Sequence, residues 1–313
     1  MDDQQAKARV MHFFGVQTGG SSALALFPRW AEALGLEDAT LVGVDLPLEA
    51  PQAMYREAVR QVKDDPNVAG ALVTSHKLNV VQAARDLFDG LTDEAECCGE
   101  VSALYKRDGQ LWGHACDPTN SGLAMNHFLG PAYWQRYPEA AMVLLGAGGA
   151  AVAQVVHVLT QAPFRPSTIL LIDRNADRLA HLRTIIDRFP DSGVRFDLVH
   201  NAEALVNDRL VAGLPPHSLV INATGMGKDL PGSPLTDAAR FPRDGAAWEL
   251  NYRGERLFLQ QARRQAAERN LIVEDGWRYF LLGWSSVIGY VFDVVITPAR
   301  FERFAAVSEM LRS

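Results

Sequence analysis

The chain is 313 residues long, 48% hydrophobic and 21% charged, which suits two packed domains and excludes a disordered polypeptide. A formal net charge of −7 without a basic cluster argues against a nucleic-acid groove. The acidic start Met1-Asp-Asp-Gln-Gln is unlike a secretion signal, no apolar run has membrane-spanning length, and the three cysteines lack framework spacing, so a cytoplasmic protein is expected. Cys97 and Cys98 are adjacent, which is not a metal-ligand spacing, and no metal site is expected.

Val10 to Phe14 reads as a first strand, broken at Gly15 and followed by the polar loop Gln17-Thr-Gly-Gly-Ser-Ser22. From Ala23 the spacing is helical, with Leu24, Phe27, Trp30, Ala31 and Leu34 on one face before Gly35. Strands are expected at 39–44 and 67–73, with a helix over 54–62 between them. The third strand runs into the polar loop Thr74-Ser-His-Lys77, and 78–88 is helical. Residues 100–104 and 110–116 form a hairpin about Asp108-Gly109, a strong turn pair. Asp117-Pro-Thr-Asn-Ser-Gly122 reads as the loop leaving it, and a helix over 123–129 carries the chain into a second domain.

That second domain is organised around Met142-Val-Leu-Leu-Gly-Ala-Gly-Gly-Ala-Ala151, a buried strand, a tight turn and a helix start. Glycines there let backbone approach a ligand, and first-turn N–H groups suit a pyrophosphate. Gly146, Ala147, Gly148, Gly149 and Ala150 form the candidate cradle, with Ala151 in place of a third glycine. The next strand, 168–172, ends in Asp173-Arg174, where a dinucleotide site needs an acidic partner for ribose hydroxyls. Strands follow at 194–199, 218–222, 245–250 and 272–273. Asn222, Ala223, Thr224, Gly225 and Met226 form a loop placed to face the cofactor. A helix covers 258–268, a glycine-broken apolar helix 276–292, and an amphipathic helix 297–311 closes the chain.

Lys77 and Asp117 each follow a strand, and in a parallel-type sheet those ends lie side by side, opening toward the cleft between domains. A lysine beside an aspartate can hold a substrate hydroxyl and move its proton while hydride leaves the same carbon. Ser21 and Ser22, in a glycine loop before a helix, suit either a carboxylate or simple helix capping. His76 reads as a hydrogen-bonding bystander.

Together these residues resemble the shikimate/quinate dehydrogenase family over nearly the whole chain. The resemblance rests on the loop and helix from Phe14 to Trp30, Val73-Thr-Ser-His-Lys77, Gly99-Glu-Val-Ser-Ala-Leu104, Gly113-His-Ala-Cys-Asp117, Gly146 to Ala150, Asp173 to Arg178 and Ile221-Asn-Ala-Thr224. It implies an α/β, two-domain enzyme. The substrate-binding domain spans 1–122 and is completed by C-terminal helices returning over 270–313, and a Rossmann-type dinucleotide-binding domain spans 123–269. It implies that Lys77 and Asp117 are the catalytic pair, that Ser21, Ser22, Thr74, Ser102, Asn251 and Trp284 fall in or beside the substrate shell, and that Gly276 lies at the cofactor.

Several family positions differ. Ala23 replaces a second serine, Ser102-Ala103 and Ala115-Cys116 replace Asn-Thr pairs, Asn251 stands where a tyrosine is common, and Gly283 or Trp284 falls where a glutamine is usual. Unpaired polar groups on a substrate are expensive, so the substrate shell reads as rewritten around retained reaction machinery. Asp173 repels a 2′-phosphate and favours NAD, while Arg174 can stack on adenine or receive that phosphate, leaving NADP open. The expected activity is NAD(P)-dependent oxidation or reduction of a secondary alcohol on a small hydroxy acid, by a monomer or homodimer that binds neither nucleic acid nor membrane. The alternatives are a non-catalytic nucleotide-binding sensor and a different dehydrogenase acting on a folate or an amino-acid-like substrate.

Overall fold

The computed structural model describes residues 9–228 and 230–309; the Met1-Asp-Asp-Gln-Gln start and the end of the closing helix at Leu311 lie outside the described residues. The chain divides into two compact units, residues 1–116 with 281–313 and residues 117–280.

The first unit contains β1 (Val10–Gly15), α1 (Ser22–Leu34), β2 (Thr40–Asp45), α2 (Gln52–Asp64), β3 (Val68–Val73), α3 (Lys77–Ala84), β4 (Gly90–Leu91), α4 (Asp93–Cys98), β5 (Ala103–Arg107) and β6 (Gln110–His114). Its strands form one six-stranded sheet in the order β2-β1-β3-β5-β6-β4. β1, β2 and β3 are parallel. β5 is antiparallel to both β3 and β6, so β6 points the same way as β3 and their C-terminal ends share one edge. The sheet is therefore mixed, not parallel throughout, because the β5–β6 hairpin turns at Asp108 and Gly109, both left-handed with φ of 52° and 75°. Lys77 is the first residue of α3, not part of the loop expected there.

In the second unit, α5 (Asp117–Leu129) and α6 (Tyr133–Arg136) precede β7 (Ala141–Leu145), α7 (Gly149–Thr160), β8 (Thr168–Asp173), α8 (Ala176–Ile186), β9 (Arg195–His200), α9 (Ala204–Ala212), β10 (Leu219–Asn222), β11 (Ala246–Glu249), α10 (Leu257–Arg269), β12 (Ile272–Glu274) and the start of α11 (Trp277–Phe292). The 117–122 stretch expected as loop is the first turn and a half of α5. Pro118 is compatible with this because a first-turn N–H has no helical partner to lose. All neighbouring strands pair parallel, in the order β12-β11-β10-β7-β8-β9. This is the doubly wound dinucleotide-binding order, with its reversal between β7 and β10. The core on one face of this sheet gathers Val143, Leu145, Ile172, Val220, Phe241 and Phe258.

α11 is continuous through Gly283 and Gly289, where a break was expected. A Cβ on Gly289 would lie 2.8 Å from the Val294 carbonyl oxygen, so this glycine admits the chain that doubles back after the helix. α11 ends in the first unit, where α12 (Pro298–Ser308) closes the described chain. On α1, Leu26 rather than Leu24 completes the buried face with Ala23, Phe27, Trp30, Ala31 and Leu34, since it lies three residues after Ala23 and four before Trp30. Trp30 is the hub. It stacks on Phe304 at 4.8 Å, meets Trp284 at 5.1 Å, and donates from Nε1 to Ser308 Oγ at 2.7 Å. All three cysteines are buried and none forms a disulfide. Among the described residues no helix is long and apolar enough to cross a membrane.

Trp30→Ala should destabilise the protein by about 3–5 kcal/mol, measured by urea unfolding, because it empties a large buried site. Trp30→Phe keeps a ring on Phe304 and should lose less.

Candidate functional site

In the second unit the reversal point is built on close backbone approach. Gly146 has φ of 108°, and a Cβ there would lie 2.9 Å from the Ala223 carbonyl. Only glycine satisfies both constraints. The β7 and β10 exits are thereby packed together, and Ala223 N–H donates to the Leu145 carbonyl at 2.8 Å. α7 starts at Gly149 after Gly148, so no side chain covers its first turn. A Cβ on Gly148 would meet nothing within 4 Å. A glycine-lined helix N-terminus with open space above it fits a pyrophosphate.

Asp173 ends β8 and is buried at 7% exposure. Its Oδ2 accepts the Ala147 N–H at 2.6 Å and its Oδ1 accepts the Asn175 N–H at 2.8 Å. The carboxylate expected to meet ribose hydroxyls thus clamps the glycine turn to β8. Arg174 beside it is exposed. Asn175 caps α8 by accepting the N–H groups of Asp177 and Arg178.

The loop after β10 is held by a residue that sequence reading missed. Glu249 at the end of β11 is fully buried. Its Oε1 accepts the backbone N–H of Asn251 at 2.9 Å and the Asn251 side-chain amide at 2.7 Å. The Asn222 amide reaches Oε1 at 3.0 Å and Oε2 at 2.9 Å. Burial pushes the Glu249 carboxyl up to about 7, against the opposing pull of these hydrogen bonds and of Arg256. Asn222 Oδ1 accepts from Thr224 N at 3.1 Å and Thr224 Oγ1 at 2.6 Å. Asn251 Nδ2 also donates to the Thr224 and Met226 carbonyls at 3.2 and 3.0 Å. Asn251, expected in the substrate shell, spends its amide on this loop. The available signal was an acid ending an apolar strand, but its partner Asn222 is fixed only by the β10–β11 register, which pairs the two.

Two further features lie at these strand ends. Gly276, expected at the cofactor, is buried, and a Cβ on it would lie 2.1 Å from the Leu250 carbonyl oxygen, so close packing accounts for the glycine. Tyr252 stacks on Phe280 at 4.0 Å, with Lys228 Nζ and Arg253 Cζ at 5.7 and 5.9 Å from its ring centre. None of these side chains stood out in the sequence.

In the first unit the shared strand edge gathers the other candidates. Thr74 Oγ1 donates to the Phe14 carbonyl at 3.0 Å. Ser21 caps α1 by accepting the Ala23 N–H at 3.3 Å, while Ser22 is exposed. The loop before Ser21 is fixed by Asp45, which accepts both N–H and O–H of Thr18 at 2.7 and 2.6 Å. Those bonds hold the Asp45 carboxyl below its ordinary value. The Lys77 carbonyl accepts the Val101 N–H at 3.3 Å, and Ser102 N–H donates to the His114 carbonyl at 2.9 Å. Ser102 Oγ accepts the Cys116 N–H at 2.7 Å and is 3% exposed, so it braces the segment leading into Asp117. Trp284, expected beside the substrate, is 5% exposed and packed edge-on at 5.3 Å to Phe13 as well as against Trp30. It is a core residue, because the α11 face that carries it packs on β1 and α1.

No family model matches the chain. A curated relative, the shikimate dehydrogenase (NADP(+)) of Methylobacterium radiotolerans, is 31% identical over 233 residues, 73% of each chain. The chain belongs to the shikimate dehydrogenase family. A second family member, the shikimate dehydrogenase (NADP(+)) of Streptococcus thermophilus, is 26% identical over 75% of this chain and 77% of its own. Among solved structures, the shikimate 5-dehydrogenase of Listeria monocytogenes, in complex with shikimate and NAD, superposes with a TM-score of 0.73 at 18% identity, covering 98% of this chain and 97% of that one. The 5-ketofructose reductase of Gluconobacter sp. strain CHM43 gives 0.71 at 16%, covering 98% and 99%. At such identities the fold is what is shared. The shikimate dehydrogenase fold therefore carries this chain's own strand-end residues.

Asp173→Ala strips the acceptor from the Ala147 and Asn175 N–H groups. It should lower stability by about 2 kcal/mol, read by thermal melting, through donors left unsatisfied at the glycine turn.

Proposed function

We propose that the protein is a nicotinamide-dinucleotide-dependent dehydrogenase that interconverts a secondary alcohol and a ketone on a small polyhydroxylated acid of shikimate type. Its membership of the shikimate dehydrogenase family is the observation that carries this reading, and the motif resemblance assigns Lys77 and Asp117 as the catalytic pair. The glycine turn and the open N-terminus of α7 suit the dinucleotide, which when bound supplies the hydride acceptor. Lys77 takes the substrate hydroxyl proton as the carbon gives up hydride, and returns it in the reverse direction. Asp117 orients the hydroxyl and balances the charge on the amine.

For the cofactor, each Asp173 carboxylate oxygen already accepts one backbone N–H, which weakens its claim on the ribose hydroxyls. The exposed Arg174 guanidinium suits a 2′-phosphate. NADP is the reading we favour, in keeping with the curated relatives' names. Quinate and shikimate are the first compounds to test, although Ala23, Ala103, Ala115 and Gly283 remove polar groups expected around them.

Purified protein mixed with NADP or NAD and a panel of hydroxy acids should form reduced cofactor, followed by absorbance. No turnover and no cofactor binding would end this reading; binding without turnover would point to a sensor. Lys77→Ala should lower kcat at least about a hundredfold while leaving cofactor affinity near normal. Arg174→Ala should weaken NADP binding about tenfold and leave NAD binding unchanged, measured by calorimetry.

A further inference from the structure

Glu249 is fully buried, so it cannot touch a bound cofactor or substrate. Yet it is the centre from which the loop at the β10 exit takes its shape. All four hydrogen bonds to its carboxylate come from donors, two from each asparagine. Those asparagines bond in turn to Thr224 and Met226. Met226 N–H donates to Thr224 Oγ1 at 3.2 Å, which closes the loop on itself. The same loop forms one wall of the reversal point, since Ala223 is what a Cβ on Gly146 would strike.

We propose that Glu249 is a positioning residue whose carboxylate, acting through Asn222 and Asn251, sets the Ala223–Met226 loop in the conformation that receives the dinucleotide. This rests on the cofactor reading above.

The charge state decides whether the network holds. A protonated carboxyl carries an O–H that needs an acceptor, and every group bonded to Glu249 is a donor. Rotating the Asn222 amide by 180° would offer an oxygen, but would take Oδ1 away from Thr224. Protonation therefore leaves that O–H without an acceptor in the network unless one of its arms gives way. The charged groups around it are Arg256, whose guanidinium reaches Asp275 at 3.5 Å, Glu274, the β12 residue in register with Trp248, and Lys228 two positions beyond Met226. Of these, Arg256 favours the ionised form. The folded-state carboxyl lies above its ordinary value, so the contribution of Glu249 to stability falls as pH rises from 4.5 through about 7. Over the same interval the loop gains its hydrogen-bonded shape. The Glu249 contribution to stability and the cofactor affinity thus run in opposite directions with pH.

The experiment measures NADP and NAD dissociation constants, kcat, and thermal melting for the wild type, Glu249→Gln and Glu249→Asp, at about pH 6 and about pH 8. At the higher pH, Glu249→Gln should bind either cofactor about tenfold more weakly than wild type while melting no lower. Its affinity for NAD, which lacks the titrating 2′-phosphate, should no longer improve between the two pH values as that of the wild type does. Glu249→Asp keeps the charge and should recover part of the affinity. If Glu249→Gln fails to fold, the wild-type NAD profile and the aspartate variant decide. Wild-type protein that binds no dinucleotide overturns the cofactor reading itself. Wild-type protein that binds NAD with no change between the two pH values, or a folded Glu249→Gln that binds as tightly as wild type, overturns the role of Glu249 and leaves that reading intact.

Discussion

The close approach of two backbone segments at Gly146 and Ala223 is the constraint from which the second unit follows. β7 and β10 are neighbours at the point where the sheet order reverses, and their exits must separate to opposite faces within a few residues. A side chain at Gly146 would push them apart. With glycine there, the turn folds tightly enough for Asp173 to reach it from β8 and for the Glu249 network to brace the other exit. Two buried acids, one on each side of the reversal, hold the two loops. Both bonding patterns use backbone N–H groups or amide hydrogens as donors, so the ends of these parallel strands are neutralised by hydrogen bonds instead of by ion pairs.

The first unit solves a different problem with a mixed sheet. Its hairpin reverses direction once, so that β3 and β6 end at the same edge although β5 lies between them. Ser102, at the start of β5, is then in reach of both neighbours, and its bonds to Val73, His114 and Cys116 tie the three strand ends together. The motif position that loses an amide in Ser102 retains a hydroxyl that braces the segment entering Asp117.

Much of this was legible in the sequence, because each strand is a short apolar, β-branched run and the glycine turn sits between two of them. The hairpin was legible because Asp-Gly strongly favours a turn. Legibility failed where tertiary packing overrode local signals. Pro118 and the polar residues after it suggest a loop, yet a proline is neutral in a first helical turn. Gly289 suggests a break, yet it admits the returning chain against α11. Trp284 and Asn251 were assigned by resemblance to a pocket, but burial gives one to the aromatic core and the other to the Glu249 network. Glu249 itself was invisible because strand register brings it to Asn222, and register is not written in local spacing.

The packing of Trp30 against Phe304 and Ser308 joins the beginning of the chain to its end. Residues 117–280 are an uninterrupted stretch that contains a whole sheet. In the first unit, by contrast, the aromatic surface of α1 is covered by α11 and α12. The aromatic face of α1 is therefore completed by a helix whose Ser308 lies 278 residues further along the sequence, whereas residues 117–280 hold every strand of their own sheet in one stretch.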